Sequence, residues 1–268
     1  MAATHTAPPA WLRALRVTEV ELRRYRRTWR ASVFSAFVNP LLFLGAMGYG
    51  LGELVAAGQG TATLPGDVSY VAFIAPGLMI AAAMQTGAAE GSFPVMAGVK
   101  WQRTYHATIA TPATVGDLVL GNTLWLSFRV AITAGVYGLV VALLGAMSPV
   151  AAVASVGPAL LVGWGIGLPM TAIAAHVTSP ATLSAFFRFG VLPLFLLSGT
   201  FFPVSELPRA AAVLAAVTPV WHGVELARAA ALDTAPPWPI LGHLAVPAVW
   251  ALAGFVTARH TLARRLVP

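Results

Sequence analysis

Long apolar runs separated by short polar breaks dominate the chain. A helix that crosses a bilayer needs about 20 largely apolar residues. Six stretches reach that length: 32–52, 68–93, 118–146, 150–177, 182–204 and 239–258. Asn39-Pro40, Pro76, Pro169 and Pro193 fall inside them. In lipid, neighbouring helices can satisfy the backbone groups that proline frees, so these positions predict kinks rather than ends. No short-period repeat and no separate soluble domain is visible, so residues 1–268 are expected to form a single transmembrane domain.

Ahead of the first apolar run the pattern changes to an amphipathic one. At 100° per residue, Trp11, Leu15, Thr18, Leu22, Tyr25 and Trp29 fall in a stripe roughly 80° wide. Arg13, Arg16, Arg23, Arg24, Arg26, Arg27 and Arg30 occupy the other half of the wheel. Residues 10–30 are therefore expected to form a helix lying along the membrane interface. It anchors the chain, and the sequence leaves open whether it also flanks an entrance or meets a soluble partner.

Composition agrees: 58% of residues are hydrophobic and 9% charged, against about 25% charged in an ordinary soluble domain. The net charge of +7 lies at segment ends rather than along one soluble face, which argues against a nucleic-acid partner. Lys100 and Arg103 lie between the second and third spans, and Arg259, Arg264 and Arg265 follow the sixth. The loops 53–67 and 146–149 contain no Lys or Arg. The positive-inside rule then places both termini in the cytoplasm. The apolar run after the arginines is too long for a signal-peptide core, and that end is expected to stay attached.

Residues 205–237 fit poorly. They carry Glu206, Arg209, Glu225, Arg228 and Asp233 among apolar pieces, and 210–217 and 223–232 are each too short to cross. A seventh crossing would expel the basic carboxyl end. Two half-inserted helices broken at Pro219, forming an external re-entrant segment, are expected instead. The predicted fold is thus an all-α membrane protein of six transmembrane helices, with an amino-terminal interfacial helix and a re-entrant segment between helices five and six.

Several chemistries are missing from the sequence. The single lysine, Lys100, lies in Ala-Gly-Val-Lys-Trp-Gln, and no Gly-x-x-x-x-Gly-Lys-[Ser/Thr] loop exists to cradle nucleotide phosphates. His-Glu-x-x-His and Gly-x-Ser-x-Gly are absent as well. The six histidines are dispersed, with His176 and His243 near predicted membrane ends, where capping or interfacial roles are expected. The chain has no cysteine, which excludes disulfides and thiolate metal sites.

Residues 99–111 form a polar, aromatic-bearing loop of helical length, stopped by Pro112. Several elements then occur in order: the basic amino helix, Asn39-Pro40, Tyr70-Val-Ala-Phe-Ile-Ala-Pro-Gly77, Gln102-Arg103-Thr104 through Thr111-Pro112, Leu196-Leu-Ser-Gly-Thr-Phe-Phe-Pro203 with Leu207-Pro208, and Pro219-Val-Trp-His222 with Glu225 and Arg228. In that order the chain resembles a membrane subunit of type-2 ABC exporters, the group that includes lipo-oligosaccharide and polyketide-drug efflux permeases. The resemblance extends over nearly the whole chain, but the residues that determine substrate are not part of it.

The resemblance implies a multi-pass permease of the bacterial cytoplasmic membrane that moves an amphiphilic lipid-linked, glycolipid or drug-like substrate outward. It implies two permease copies, as a homodimer or related heterodimer, and a soluble P-loop ABC ATPase. This chain would bind no cofactor, because ATP and Mg belong to the partner subunit. Residues 99–111 would be the coupling helix seated on that ATPase. The contact segment runs through Lys100, Trp101, Gln102, Arg103, Thr104, Tyr105 and His106, with Arg103 and Tyr105 leading. A pathway lined by spans one, two and five would include Asn39. Phe201, Phe202 and Trp221 would form an outer gate, although aromatics at that depth also make ordinary interfacial belts.

Three charges fall within spans: Glu90, Arg129 and Arg188. Arg129 lies about 18 Å along its helix from Asp117. Such charges are costly in lipid and face protein or water with a partner. Glu90 is expected to pair with Arg188 or Arg129, and a simple depth count favours Arg188. Two other classes stay open at the level of sequence: an ion-gradient-driven secondary transporter or channel, and a membrane-embedded enzyme. Against the first, no span shows a mid-membrane acid and no internal repeat is visible.

Overall fold

The computed structural model describes residues 8–46 and 68–267; within the first helix, the side chains of residues 31, 35, 36, 39 and 40 fall outside that description. The predicted loop 53–67 and positions 47–52 of the first span lie outside the described residues. Every regular element among those described is helical.

Helix α1 (Ala10–Leu44) joins the predicted interfacial helix and the start of the first span without a break. Neither Gly nor Pro occurs between Ala10 and Asn39, so nothing in the backbone forces a joint there. Helix α2 (Tyr70–Glu90) is capped by Ser69, whose hydroxyl accepts from the Ala72 amide. After Gly91 the chain resumes as α3 (Phe93–Met96) and a π-helical turn (Ala97–Trp101). Arg103, at φ 52°, then swings the chain into α4 (Thr104–Ile109). The expected single helix over 99–111 is therefore two short pieces hinged at a left-handed residue.

Helix α5 (Val115–Leu143) opens on a capping box. The Thr114 hydroxyl takes the Asp117 amide, and the Asp117 carboxylate takes the Thr114 amide. Next come α6 (Pro149–Ala154) and α7 (Val156–His176), then α8 (Pro180–Phe186), a second π-helical turn (Phe187–Val191) and α9 (Leu192–Leu197). Pro193 does not simply kink a long helix. The wide turn ahead of it absorbs the backbone groups it displaces. Helices α10 (Arg209–Val217) and α11 (Pro219–Leu232) meet at 85°, and α12 (Ile240–Leu266) closes the chain.

Among the described residues five helical stretches are long and apolar enough to cross a bilayer: Tyr70–Trp101, Val115–Leu143, Pro149–His176, Pro180–Leu197 and Ile240–Leu266. The count rises to six if α10 and α11 are taken as one broken span. The fifth predicted span ends earlier than expected, at Leu197 rather than 204. Ser198, Gly199 and Thr200 fold inward as a buried turn, and Gly199 takes φ +77°. Small residues with hydroxyls satisfied locally read as apolar helix in sequence, which hides the boundary.

Helix α2 is the axis of the bundle, with Phe73, Ile74, Met79, Ile80 and Met84 fully buried. It crosses α7 at close range. A Cβ on Gly87 or Gly91 would run into the carbonyls of Gly163 or Gly167, so two Gly-x-x-x-Gly steps face each other. The peripheral elements do the opposite. Phe189 and Leu196 on the α8–α9 limb, and Leu241, Leu252 and Val256 on α12, point outward. Large apolar side chains on the outside and a glycine-spaced crossing inside fit lipid as the surrounding solvent.

Candidate transport pathway and coupling face

One end of the bundle collects basic residues: the amino half of α1, Lys100, Arg103, Arg259, Arg264 and Arg265. Here α1 lies along α5. Ala14 is fully buried, and Val17 and Ala14 fill the space a side chain on Gly121 would need. Thr18 donates to the Gly121 carbonyl at 3.0 Å. The face in contact runs through Ala14, Thr18, Glu21 and Tyr25, so it is offset from the predicted aromatic stripe. Trp11, Leu15 and Trp29 stay exposed. Arg13 leaves the arginine face to bond Asp117 through Nε at 2.7 Å, tying α1 to the capping box of α5. Burial pushes the Glu21 carboxyl up, while Arg24 beside it acts in the other direction.

The segment 97–109 sits at this same end. Lys100, Trp101, Gln102, Arg103 and His106 are exposed, Thr104 is half-buried, and Lys100 donates through Nζ to the Thr178 carbonyl. Tyr105 corrects the expectation that it leads an outward contact. It is only 7% exposed and turns inward, where its hydroxyl accepts from Asn122 Nδ2 at 2.7 Å. Burial pushes its phenol up, so it stays protonated. Gly98 makes room for the ring, because a Cβ there would meet Tyr105 Cε1 at 2.7 Å. Arg103 and Trp101 remain outward, with Lys100, Gln102 and His106.

Asn122 begins a line along α5. Three and seven residues on, Trp125 and Arg129 share its face. Trp125 Nε1 donates to Glu90 Oε2 at 2.9 Å, and Arg129 Nε donates to Glu90 Oε1 at 2.7 Å. The Tyr25 ring of α1 lies 4.7 Å from the Arg129 guanidinium. Glu90 therefore pairs with Arg129 and not with Arg188. Helical side chains lean toward the amino end of their helix, and the amino end of α5 is where α2 finishes. Arg129 reaches back to Glu90, a lean that a depth count along the axis omits. Arg188 sits on the second π-helical turn, exposed, with no ion-pair partner among the described residues.

The Glu90–Arg129 pair borders a cleft of about 600 Å³. Gln85 and Thr86 add polar groups, while Phe43, Met84, Phe187, Leu192 and Phe195 supply apolar walls. The cleft thus lies between the end of α1, α2, α5 and the α8–α9 limb. Asn39 falls on the backbone of α1, its side chain outside what is described.

At the opposite end the 198–200 turn is held by charge. Arg228, buried at 6% exposure, bonds Glu225 at 2.7 Å and the Gly199 carbonyl at 2.6 Å, and stacks 4.0 Å over Phe73. Phe201 packs edge-on against Phe195, with centroids 5.1 Å apart, and its carbonyl accepts from the Tyr70 hydroxyl. Phe201 and Phe202 are half-buried. Trp221 is buried among His222, Trp238 and His243 rather than free to line an opening.

Sequence reasoning missed that cluster. His222 and His243 are both fully buried, with Nδ1 atoms 2.9 Å apart. The Ala216 carbonyl can only accept, so His222 carries its proton on Nε2. The Trp238 amide can only donate, so His243 accepts on Nε2 and donates from Nδ1 to His222. All four ring nitrogens are satisfied in one chain of bonds that closes α11 onto α12. The pair is 21 residues apart, and no spacing rule finds it. Among the described residues no group of three or more potential metal ligands forms.

Residues 15–232 match the family model described as ABC-2 type transporter. The chain belongs to the ABC-2 type transporter family. "Nodulation protein J" of Rhizobium meliloti is 29% identical over 255 residues, covering 92% of both chains. The protein of that name from Rhizobium leguminosarum bv. viciae is 28% identical over 98% of both. The one from Sinorhizobium fredii is 30% identical over 91% of this chain and 92% of its own. The chain is accordingly a multi-pass ABC-2 membrane permease. The family match includes α1 from Leu15 onward, the 97–109 segment, the cleft and the 198–200 turn.

Proposed function

We propose that this ABC-2 permease is the transmembrane half of an ATP-driven exporter and moves an amphiphilic lipid-linked, glycolipid or drug-like molecule outward. The observation that carries this reading is the cleft. A neutralised polar corner, Glu90 with Arg129, stands beside walls of Phe43, Phe187, Leu192 and Phe195. An amphiphile has the same two halves. The polar corner suits a headgroup, and the apolar walls open toward the lipid-facing limb.

Because the chain lacks a phosphate-binding loop, ATP and Mg are assigned to a separate P-loop ABC ATPase. That partner docks on the basic end, which the positive-inside rule places in the cytoplasm. Its contacts are the exposed groups of 97–109, with the interfacial half of α1 beside them. The α10–α11 pair is read as an external re-entrant segment, because a seventh crossing would put the two basic ends on opposite sides. A second permease copy completes the pathway, and Phe201 with Phe202 narrows its outer end.

The line Tyr105, Asn122, Trp125, Arg129 gives the motor a mechanical route. Asn122 to Arg129 spans about 10 Å of one rigid helix face. Movement of α4 by the ATPase pulls on Asn122 and shifts α5 against Glu90. Transport then requires that the ATPase bind the inward and outward arrangements with different affinity.

The test is ATP-dependent transport in proteoliposomes containing the permease and its ATPase. Glu90→Arg and Arg129→Glu should each lower transport at least tenfold, by stranding a half-buried charge. The double exchange should recover a substantial part. A double exchange no better than either single change would overturn the role given to the pair. Full transport without ATP or the partner would overturn the ATP-driven reading.

A further inference from the structure

Away from the cleft, the basic end carries a second pocket, of about 290 Å³, between α7 and α12. It is lined by Ala175, His176, His260, Thr261, Arg264 and Arg265. The four basic side chains are exposed, and none has a hydrogen-bond or ion-pair partner among the described residues. Every described carboxylate at this end is already matched: Glu19 with Arg23, Glu21 with Arg24, Glu90 with Arg129, and Asp117 with Arg13. Two helix carboxyl ends meet here, each bringing about half a negative charge. Two arginines outweigh them before either histidine is counted, so the pocket is left positive.

The face of α12 above the pocket supplies the rest. At 100° per residue, Val249, Leu252, Val256 and His260 share one stripe, with Arg264 adjoining it. Val249, Leu252 and Val256 are all exposed. Val249 and His260 lie about 16 Å apart along the axis, close to half of a ~30 Å hydrocarbon core. An apolar track one leaflet long therefore ends in a basic pocket at the interface.

We propose that this pocket binds the phosphate headgroup of an anionic phospholipid, whose acyl chain lies along Val249, Leu252 and Val256. Basic pockets between transmembrane helices are suited to such headgroups. The site is separate from the transport cleft and shares no residue with it. Free phosphate has the same charge chemistry but no use for the apolar track.

The test is native mass spectrometry of the full chain in mild detergent, titrated with phosphatidylglycerol or phosphatidylcholine. The expected result is one tightly held phosphatidylglycerol that phosphatidylcholine does not replace. Arg264→Gln with Arg265→Gln should weaken it roughly tenfold, and lysines at both positions should restore it. Leu252→Gln with Val256→Gln should weaken it too, while millimolar inorganic phosphate leaves it bound. A monodisperse profile on gel filtration establishes that each variant folds, and the exposed arginine changes serve if the apolar pair does not. Equal retention of the two lipids, or wild-type retention by the arginine variant, would overturn the proposal. Displacement by inorganic phosphate would make the pocket a soluble-anion site and overturn the lipid assignment.

Discussion

The buried histidine pair shows how little slack individual side chains have in this protein. His243 Nδ1–H is the donor on which His222 depends, and the Trp238 amide depends on His243 in turn. His243→Leu keeps similar bulk but removes both bonds, leaving a buried ring nitrogen and an amide unpaired. The orphaned, fully buried His222 nitrogen costs about 1–3 kcal/mol and the amide of exposed Trp238 less, so the thermal midpoint in detergent should fall by several degrees. A further His222→Leu change should cost less than it does alone, because its partner is already gone. Strict additivity, measured by a double-mutant cycle on thermal unfolding, would show that the two rings do not support each other. Neither histidine announced this in the sequence. Their separation is long, and only the return of the chain through 233–239, after the left-handed Asp233, brings the start of α12 against α11. Glu90 and Arg129 were legible as intramembrane charges needing partners, but the correct pairing depends on the backward lean of a helical side chain. Tyr105 was legible as part of a functional loop, though not as its inward anchor.

At the scale of elements, most helices could be read from apolar runs because lipid allows few alternatives to them. The ends were harder. Small hydroxylated residues at 198–200 hide a turn, and the left-handed Arg103 splits a segment that reads as one helix. The crossing of α2 and α7 has no distinctive sequence signal, since glycine pairs four apart are common in apolar helices. It sets how closely the two central helices approach. Gly91→Ala places a methyl group against the Gly167 backbone, which no rotamer change can relieve. Overpacking of this kind costs about 1–3 kcal/mol. Gly135 faces open space, so Gly135→Ala is the matched control and should be neutral or slightly favourable. The measurement is thermal aggregation of the two variants in the same detergent. A Gly91→Ala protein as stable as the control would mean the helices can separate freely.

For the whole molecule, the amino-terminal arginines first indicate orientation and then acquire a neighbour. Arg13 fastens α1 to α5, and α5 carries the line from Tyr105 to Glu90. The basic end therefore joins the proposed docking surface, the helix that would transmit motion and the cleft that would hold substrate. The measurement that tests this most directly is recovery of the ATPase with the permease in mild detergent, comparing the native chain with Arg103→Gly. Glycine suits the φ of 52° at that position better than arginine does, so this variant loses the side chain without straining the fold. The expected result is a P-loop ATPase in equal amount with the native permease and its loss from the variant, at unchanged thermal stability. A variant that retains the ATPase in full would contradict the docking of the motor on this segment.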